Sequence, residues 1–434
     1  MNKHHSDWLI VGSGPGGYEL AAGLAAAGKK VTLIEKGHLG GTCLNRGCIP
    51  TKCLCATASA IEGIRRAGEF GVTVDGWSLD YARAHARAME VVGQLREDIG
   101  TLLKDVEIVH GVARFAGNRT VEAAGDIYEA DKVVIATGSR PAPLRCPGAE
   151  RAIDSDRLLA LEALPEGPVV IVGGGVIGLE FASVLNAFGL QVVVVEFCKE
   201  VLPGQDPELA KRLRQKLGRA GVDIRVSTAV EEIREGSVLC SGRKGLTEIP
   251  AATVIAAVGR RPVVPEGLEH TEIKLTPRGF IEVDPATMET AAAGVYAIGD
   301  VNGLCMLAHA ASAQGRRVAG GKVNLDVIPA VVFTRPEFAS VGAVEGPASV
   351  KVPYGANGKA LAEGEADGVV KLVYDPADGR LLGCHVLGAH AADLVAEAAL
   401  AIASGLSCSD FRATVHAHPT LSELLVAAAE GCNA

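Results

Sequence analysis

The sequence predicts an α/β protein with two Rossmann-like dinucleotide-binding domains and a C-terminal α+β domain. Three observations predict this fold class. A motif of strand, glycine turn, helix and strand occurs twice. A strand-like run that ends in glycine closes each copy. Two strand-like runs, Val369 to Tyr374 and Leu381 to Leu387, precede two helices that start at about Ala391 and Leu421.

The first copy of the motif follows an apolar strand that starts at Asp7. Its three glycines are Gly12, Gly14 and Gly17. The first permits a tight turn, the second lets the backbone approach a pyrophosphate, and the third lets the helix pack on the strand. An alanine-rich helix runs to about Ala27, and a second strand ends at Glu35. The free N–H groups at the start of this helix are suited to binding phosphate.

The second copy begins at Val169 and repeats the same landmarks. A shift of 161 positions (173 − 12) superimposes five residues: Gly12 on Gly173, Gly14 on Gly175, Gly17 on Gly178, Glu19 on Glu180, and Glu35 on Glu196. A single motif of this kind is weak evidence. Two copies in matched context, each closed by a glutamate, predict two dinucleotide sites.

The residues that close the motifs indicate which nucleotides bind. Glu196 can accept hydrogen bonds from ribose hydroxyls but would repel a 2′-phosphate, and no arginine follows it closely, so the second site is predicted to prefer NAD to NADP. Two dinucleotide sites in one chain favour electron transfer between a bound flavin and an exchangeable nicotinamide. A further strand from Val295 ends at Asp300, which can place a carboxylate near a cofactor hydroxyl.

The segment from Gly40 to Lys52 contains Cys43 and Cys48, which predict a redox-active pair. A disulfide that closes so short a loop would contribute only about 2 kcal/mol of stability, which suits a bridge that opens and closes. Pro50 predicts the first turn of a helix, whose positive end, together with Lys52, would lower the pKa of the Cys48 thiol. The alternatives are a static bridge, or half of a metal site completed by Cys53 and Cys55.

Near the end of the chain, His418 is a candidate base for a thiol proton, and Glu423 is the carboxylate that would orient it. The same stretch has an alternative interpretation, because Thr420 and Glu423 have the spacing of a capping box that opens the last helix. Both interpretations hold if the start of the helix also presents the carboxylate to His418. His416 is predicted to be structural.

The bulk composition excludes several classes of protein. The 434 residues are 48% hydrophobic and 21% charged, with a net charge of −9 and no long basic block, so neither disorder nor binding to nucleic acid or an anionic membrane is predicted. No uninterrupted apolar run predicts a membrane span. The 11 cysteines are an odd number and mostly scattered, which argues against a secreted disulfide framework. With no targeting segment evident, a cytoplasmic location is predicted.

These motifs together resemble the pyridine nucleotide–disulfide oxidoreductase family over nearly the whole chain, and within it the branch that oxidises dihydrolipoamide. The segment around the cysteine pair, the Tyr-Ala-Ile-Gly-Asp run ending at Asp300, and the stretch from His416 to Glu423 carry the resemblance. It implies an FAD-binding domain with the redox-active disulfide (1–145), an NAD-binding domain (146–265), a central domain completing the FAD site (266–330) and an interface or dimerisation domain (331–434). It implies no resident metal.

The resemblance also implies a role for individual residues. Cys43 would meet the dithiol substrate, and Cys48 would face the flavin. His418 and Glu423 would come from the second subunit of a homodimer. The other residues implied for FAD are Gly12, Gly14, Gly17, Glu35, Lys36, Thr42, Lys52, Ala113, Glu180, Asp300 and Ala308. Those implied for NAD are Gly173, Gly175, Val176, Gly178, Glu196, Val230 and Gly259.

The partner implied is a lipoyl-carrying protein, either the acyltransferase of a 2-oxo acid dehydrogenase or the carrier protein of glycine cleavage. Arg46 inside the cysteine loop, Cys53 and Cys55 after it, and a shortened segment at 342–362 depart from the family pattern. Four alternatives remain open: a glutathione-type reductase, a mercuric reductase, a transhydrogenase and a flavin-based redox sensor. The first would have arginines near Glu196, the second a C-terminal cysteine pair, and the third no cysteine pair.

Overall fold

The first glycine motif lies in a sheet whose strands are mostly parallel. The computed structural model describes residues 1–243 and 245–433. The elements of this part are β1 (Lys3–Val11), α1 (Pro15–Ala26), β2 (Val31–Glu35), α2 (Gly41–Arg46), α3 (Cys48–Arg66), α4 (Tyr81–Leu102), β3 (Glu107–His110), β4 (Arg114–Gly117), β5 (Thr120–Ala123), β6 (Asp126–Ile135) and β7 (Ser139–Pro141). The sheet order is β3-β2-β1-β6-β5-β4, and β1 pairs in parallel with both β2 and β6.

The second glycine motif lies in a separate sheet of the same kind. Its elements are β8 (Ile153–Asp154), α5 (Ser155–Leu159), β9 (Val169–Val172), α6 (Val176–Ala187), β10 (Val192–Val195), α7 (Pro207–Arg219), β11 (Asp223–Arg225), β12 (Ala229–Arg234), β13 (Ser237–Gly242), β14 (Gly245–Pro250), β15 (Thr253–Ala256) and β16 (Arg260–Pro262). The parallel order β11-β10-β9-β15-β8 repeats that of the first sheet around its glycine strand. An antiparallel ribbon, β12-β13-β14, adjoins this sheet through shared apolar side chains.

The segment that follows the second sheet returns to the first. Its elements are β17 (Val295–Ala297) and α8 (Ala308–Val318). β17 adds a parallel strand beside β6, and α8 packs on α1, where Gly16 and Gly315 allow the two helix backbones to approach closely. Asp300 therefore reaches the first nucleotide fold from a distant part of the chain.

The C-terminal part is an antiparallel sheet covered by helices. Its elements are β18 (Ala330–Val332), β19 (Glu337–Gly342), β20 (Ala348–Pro353), α9 (Gly358–Ala362), β21 (Val369–Tyr374), β22 (Leu381–Gly388), α10 (Ala391–Ala403), α11 (Cys408–Ala413) and α12 (Glu423–Glu430). The sheet order is β18-β19-β22-β21-β20. One face packs against α10, α11 and α12, and the other contributes Phe338, Val369 and Leu387 to the core of the second unit. The predicted fold class is confirmed.

Five short 3-10 helices complete the regular structure of the described residues: Ala67–Phe70, Ala149–Arg151, Leu268–His270, Gly299–Val301 and Tyr354–Ala356. None of the helices in the described ranges has the length and apolar character needed to cross a bilayer.

Candidate active site

Both glycine turns and the cysteine pair open onto one cleft of about 1670 Å³. That volume exceeds the usual range of a pocket for one small ligand, roughly 300–1,000 Å³. Most of the predicted site residues line it: Gly12, Gly14, Gly17, Glu35, Lys36, Thr42, Cys43, Cys48, Lys52, Gly173, Gly175, Val176, Glu180, Glu196, Val230, Gly259, Asp300 and Ala308. Four predicted residues lie off this lining: Ala113, Gly178, His418 and Glu423.

The two glycine turns have nearly the same geometry. The first glycine of each turn has a positive φ, +102° at Gly12 and +114° at Gly173. A Cβ on the third glycine would lie 2.0 Å from the carbonyl oxygen of the first, both at Gly17 and at Gly178, so helix and strand pack closely there. Gly178 is thus a packing residue beneath its turn. A Cβ on the second glycine, Gly14 or Gly175, would meet no protein atom within 4 Å, which leaves the space that a pyrophosphate requires.

The two motif glutamates are bound in the same way. Glu35 accepts hydrogen bonds from the N–H groups of Ser13 (2.8 Å) and Gly37 (2.7 Å). Glu196 accepts from the equivalent groups of Gly174 (2.6 Å) and Cys198 (2.6 Å). The internal repeat therefore includes the contacts of each carboxylate, and these contacts fix both negative charges at the edge of the cleft.

The cysteine pair lies where two helices meet at Gly47. Cys43 is in α2, Cys48 is the first residue of α3, and both are free thiols that hydrogen-bond to each other. The hydrogen bond from Cys43 is the main cause that lowers the pKa of Cys48 to about 7, with Lys52 adding to it against the opposing effect of burial. The same hydrogen bond raises the pKa of Cys43. The predicted lowering at Cys48 is confirmed, but its main cause is the other thiol.

Lys52 and Glu180 form an ion pair that joins α3 to α6. Lys52 Nζ lies 2.8 and 3.0 Å from the two carboxylate oxygens of Glu180, which is only 6% exposed. Glu180 also accepts a hydrogen bond from the N–H of Phe333 at 2.9 Å, and the ammonium of Lys52 lies 4.3 Å from the centroid of the Phe333 ring. The C-terminal part therefore closes one side of the cleft. The sequence around Phe333 contains no local signal for this role.

A polar network connects the ends of the two nucleotide folds. β7 pairs antiparallel with β16, so the matched Gly-Ser-Arg-Pro and Gly-Arg-Arg-Pro segments meet. Arg260 Nε donates to Ser139 Oγ at 2.7 Å, and Ser139 donates in turn to Asp300. Sequence reasoning noted the two segments as counterparts but missed Ser139 and Arg260 as site residues.

The residues that depart from the family pattern have specific neighbours. Arg46 forms an ion pair of 3.2 Å with Asp156, and both line the cleft. The thiol of Cys55 points to the carbonyl of Phe333, and burial raises its pKa to about 12, which disfavours a reactive thiolate. Within the described ranges, no group of three or more His, Cys, Asp or Glu side chains is arranged to bind a metal ion.

His418 and Glu423 form the predicted pair. His418 Nδ1 lies 2.9 Å from Glu423 Oε1, and the His418 side chain is 80% exposed. Glu423 Oε2 accepts a hydrogen bond from the N–H of Thr420 at 2.9 Å, as in a capping box. The remainder of the capping-box interpretation is wrong: the Thr420 hydroxyl donates to Ala417 O, and the helix begins only at Glu423, because Leu421 and Ser422 form a turn before it.

The chain matches known proteins over nearly its full length. The family described as pyridine nucleotide-disulphide oxidoreductase matches residues 6–315, and its dimerisation domain matches residues 328–429. The chain is 40% identical to the dihydrolipoyl dehydrogenase of Thermus scotoductus and 39% identical to that of Geobacillus stearothermophilus. In both comparisons the alignment covers 98% of this chain and 96% of the relative.

A solved structure also matches the whole chain, at lower sequence identity. The Cu(II) complex of the HOCl-induced flavoprotein disulfide reductase RclA from Escherichia coli superimposes with a TM-score of 0.87, at 29% identity and over 99% of both chains. The matched domains indicate flavin and nicotinamide cofactors and assembly as a homodimer. The chain belongs to the pyridine nucleotide–disulphide oxidoreductase family.

Proposed function

We propose that this protein is an FAD- and NAD-dependent dihydrolipoyl dehydrogenase, which oxidises the dihydrolipoyl group of a carrier protein and reduces NAD⁺. One observation carries the proposal: two matched nucleotide turns and a thiol pair with a low-pKa member share a single cleft. The names of relatives that are 37–40% identical over nearly the whole chain support the choice of substrate.

The residues of the cleft fit the two cofactors. The open space at Gly14 and the charge of Glu35 suit the pyrophosphate and ribose of FAD, with Lys36, Thr42, Asp300 and Ala308 as further contacts. The equivalent space at Gly175 and the charge of Glu196 suit NAD, with Val176, Val230 and Gly259 beside them. The role of Ala113 stays a prediction. A flavin bound here would supply two-electron chemistry between a thiolate and a nicotinamide.

The thiol chemistry follows from the two cysteines. With the pair oxidised, a substrate thiolate attacks the sulfur of Cys43, the Cys43–Cys48 bond breaks, and Cys48 leaves as a thiolate. The second substrate thiol then displaces Cys43, so the substrate becomes a cyclic disulfide while the enzyme retains two electrons as a dithiol. Cys48 is suited to leave because the cation of Lys52 lies near it and lowers its pKa; when Cys43 is later released as a thiol, its hydrogen bond to Cys48 stabilises the thiolate further.

We propose that His418 accepts the substrate proton and that the second subunit of the dimer supplies it. His418 and Glu423 are off the cleft of their own chain, and His418 is largely exposed. Glu423 engages Nδ1, so Nε2 is left to meet the substrate thiol. If a partner cleft receives this pair, the active site is complete only in the dimer.

The domain limits and the location follow as proposals. The limits at 145/146 and 265/266 fall between strands of successive sheets, which supports them, whereas 330/331 falls inside β18, whose sheet belongs to the C-terminal part matched over residues 328–429. The cysteines other than Cys43 and Cys48 are scattered and unpaired, as expected for a protein of a reducing compartment such as the cytoplasm. The carrier protein is proposed by its chemistry, as a protein that bears a lipoyl group.

The test compares substrates and cysteine variants on the flavin-containing protein. We expect NAD⁺-dependent oxidation of free dihydrolipoamide to exceed NADH-dependent reduction of glutathione disulfide or Hg(II) by at least about tenfold in kcat/KM. On two-electron reduction a long-wavelength thiolate–flavin absorption band should appear. Cys48→Ser should abolish the band, Cys43→Ser should keep it but lose dithiol turnover, and the control Cys53→Ser should retain both. A Cys48→Ser protein that keeps the band would contradict the assignment.

A further inference from the structure

The segment that carries His418 is attached to the protein through an inward-pointing histidine. Between Arg412 and Pro419 every residue except His416 is exposed. The side chain of His416 is only 9% exposed and turns toward α10, where it meets Glu397. Its ring lies nearly parallel to that of the buried Phe411, with 6.4 Å between centroids.

Both ring nitrogens of His416 face acceptors. Nδ1 lies 3.0 Å from the carbonyl oxygen of Thr414, which can only accept, so this nitrogen carries a proton. Nε2 lies 2.6 Å from Glu397 Oε1, a distance typical of a charge-assisted hydrogen bond. The His416–Glu397 pair therefore holds a second proton between its members, and it is close to neutral as a unit.

The surrounding charges favour this protonated pair. Burial alone would lower the pKa of His416, but the hydrogen bonds to Glu397 and Thr414 and the charge of Glu423 outweigh it, so the pKa is raised. The groups that face His416 are Glu397 on α10, the Phe411 ring on α11, the Thr414 carbonyl in its own segment, and Glu423 at the start of α12.

We propose that His416 is a positioning residue for the dithiol reaction: paired with Glu397, it fixes the backbone that presents the imidazole of His418. This inference rests on the proposed function. The segment is bound on both sides of His418, because His416 is held by α10 before it and the N–H of Thr420 is held by Glu423 after it. Loss of the first attachment leaves His418 held through Glu423 alone, so its 80% exposed side chain can change its orientation more easily.

The reaction offers an internal control for this role. Oxidation of free dihydrolipoamide requires His418, whereas NADH oxidation by ferricyanide takes electrons from the flavin and bypasses the thiols. His416→Phe keeps a ring beside Phe411 but removes both hydrogen bonds. We expect it to lower kcat for dihydrolipoamide about tenfold, because misplacing a catalytic group slows the chemical step. KM and the ferricyanide rate should stay within about twofold of wild type.

A charge-dependent readout separates positioning from general stability. His416→Gln leaves the carboxylate of Glu397 without its cationic partner, and an unneutralised carboxylate favours protonated imidazole at His418. The acidic limb of the dihydrolipoamide rate profile should therefore move to higher pH. The double variant His416→Gln/Glu397→Gln removes that charge and should return the limb to the wild-type position. A purely structural role would not reverse in this way.

His390→Asn is the matched control variant. His390 is the residue before α10 and pairs at 3.7 Å with Asp393 in the first turn of that helix, but both side chains are more than 60% exposed. The backbone of His390 is left-handed, with φ 55°, which asparagine tolerates. This variant should keep both activities and the wild-type pH profile.

The outcomes distinguish failure of the proposed function from failure of the positioning role of His416. Wild-type protein that fails to oxidise dihydrolipoamide overturns the proposed function and this inference with it. Active wild-type protein with full dithiol turnover in His416→Phe overturns the inference alone. Equal loss of dithiol and ferricyanide activity in both His416 variants also overturns it, because that result assigns His416 to general folding.

Discussion

Nucleotide selection should depend on one carboxylate, and Glu196→Gln tests this directly. Glu196 is only 7% exposed, and its two oxygens accept backbone N–H groups from both sides of the turn. Its negative charge is therefore held at the end of β10, where the proposed NAD would present its ribose. Glutamine preserves the shape and one acceptor oxygen but removes the charge.

The expected magnitude follows from Coulomb's law. A charge about 5 Å from one negative charge of a 2′-phosphate interacts by roughly 3 kcal/mol at an effective dielectric constant of about 20. Solvent in the open cleft and salt reduce this, so we take about 1.4 kcal/mol, which corresponds to tenfold. The ratio of kcat/KM for NADPH to that for NADH should therefore rise about tenfold in Glu196→Gln. The glutamine NH2 group cannot accept one of the two backbone N–H groups. Any resulting loss of affinity affects both nucleotides equally and cancels in the ratio.

The assay is steady-state oxidation of NADH and of NADPH by ferricyanide at two salt concentrations. The shift in the ratio should be smaller at high salt because exposed charges are screened. The double variant Glu200→Gln/Arg214→Gln is the matched control: it removes a nearby ion pair, joined at 2.6 Å, without changing the net charge, and it should leave the ratio unchanged. Equal use of both nucleotides by wild-type protein, or an unchanged ratio in Glu196→Gln, would refute the reasoning.

Two further predictions concern the C-terminal part. His418→Ala should lose about 10²-fold in dihydrolipoamide turnover, because the thiol proton loses its acceptor, while NADH oxidation by ferricyanide stays at the wild-type rate; retained dithiol turnover would reduce the Glu423 pair to a structural role. Lys371→Met should lower the free energy of unfolding by about 3–5 kcal/mol, because it leaves the carboxylate of Asp206, 1% exposed, without its cation. Burial tends to raise the pKa of Asp206, but hydrogen bonds from Lys371 and Leu209 N–H outweigh it and lower the pKa, so in wild-type protein this stabilisation is present above about pH 4 and is lost as the pH falls further. Thermal unfolding of both proteins between pH 3 and 7 measures it, and equal midpoints at pH 7 would contradict the expectation.

The features predictable from sequence are those whose cause is local. The glycine turns follow from backbone sterics within about six residues, and the 161-residue repeat then locates the second site. The position of Cys48 at a helix start follows from Pro50 in the same turn. The geometry of these segments is set locally, so α1 and β2 end within about a residue of the predicted positions, although β1 begins at Lys3, four residues before the predicted Asp7.

The features that sequence could not predict depend on contacts between distant elements. The environment of Lys52 includes Glu180, 128 positions away, and Phe333, a further 153 positions along the chain. His416 selects Glu397 among several acidic residues only because α10 passes beside it. The capping-box interpretation was right for one of its two hydrogen bonds. The spacing predicts that Glu423 reaches the Thr420 N–H, but it does not predict that the Thr420 hydroxyl donates to the carbonyl of Ala417 instead.

The repeat also explains why the two glycine turns open onto one cleft. In each unit the glycine turn lies at the carboxyl end of its first strand, beside the carboxyl ends of β6 or β15. β7 and β16 begin four residues beyond those ends and pair with each other, so the two carboxyl edges are drawn toward one another. α3 then packs on α6 through the Lys52–Glu180 pair, which places the thiols of the first unit beside the turn of the second. A flavin bound at the first site would lie between the thiol pair and the second nucleotide turn, so the way the two units join would set the route that electrons take.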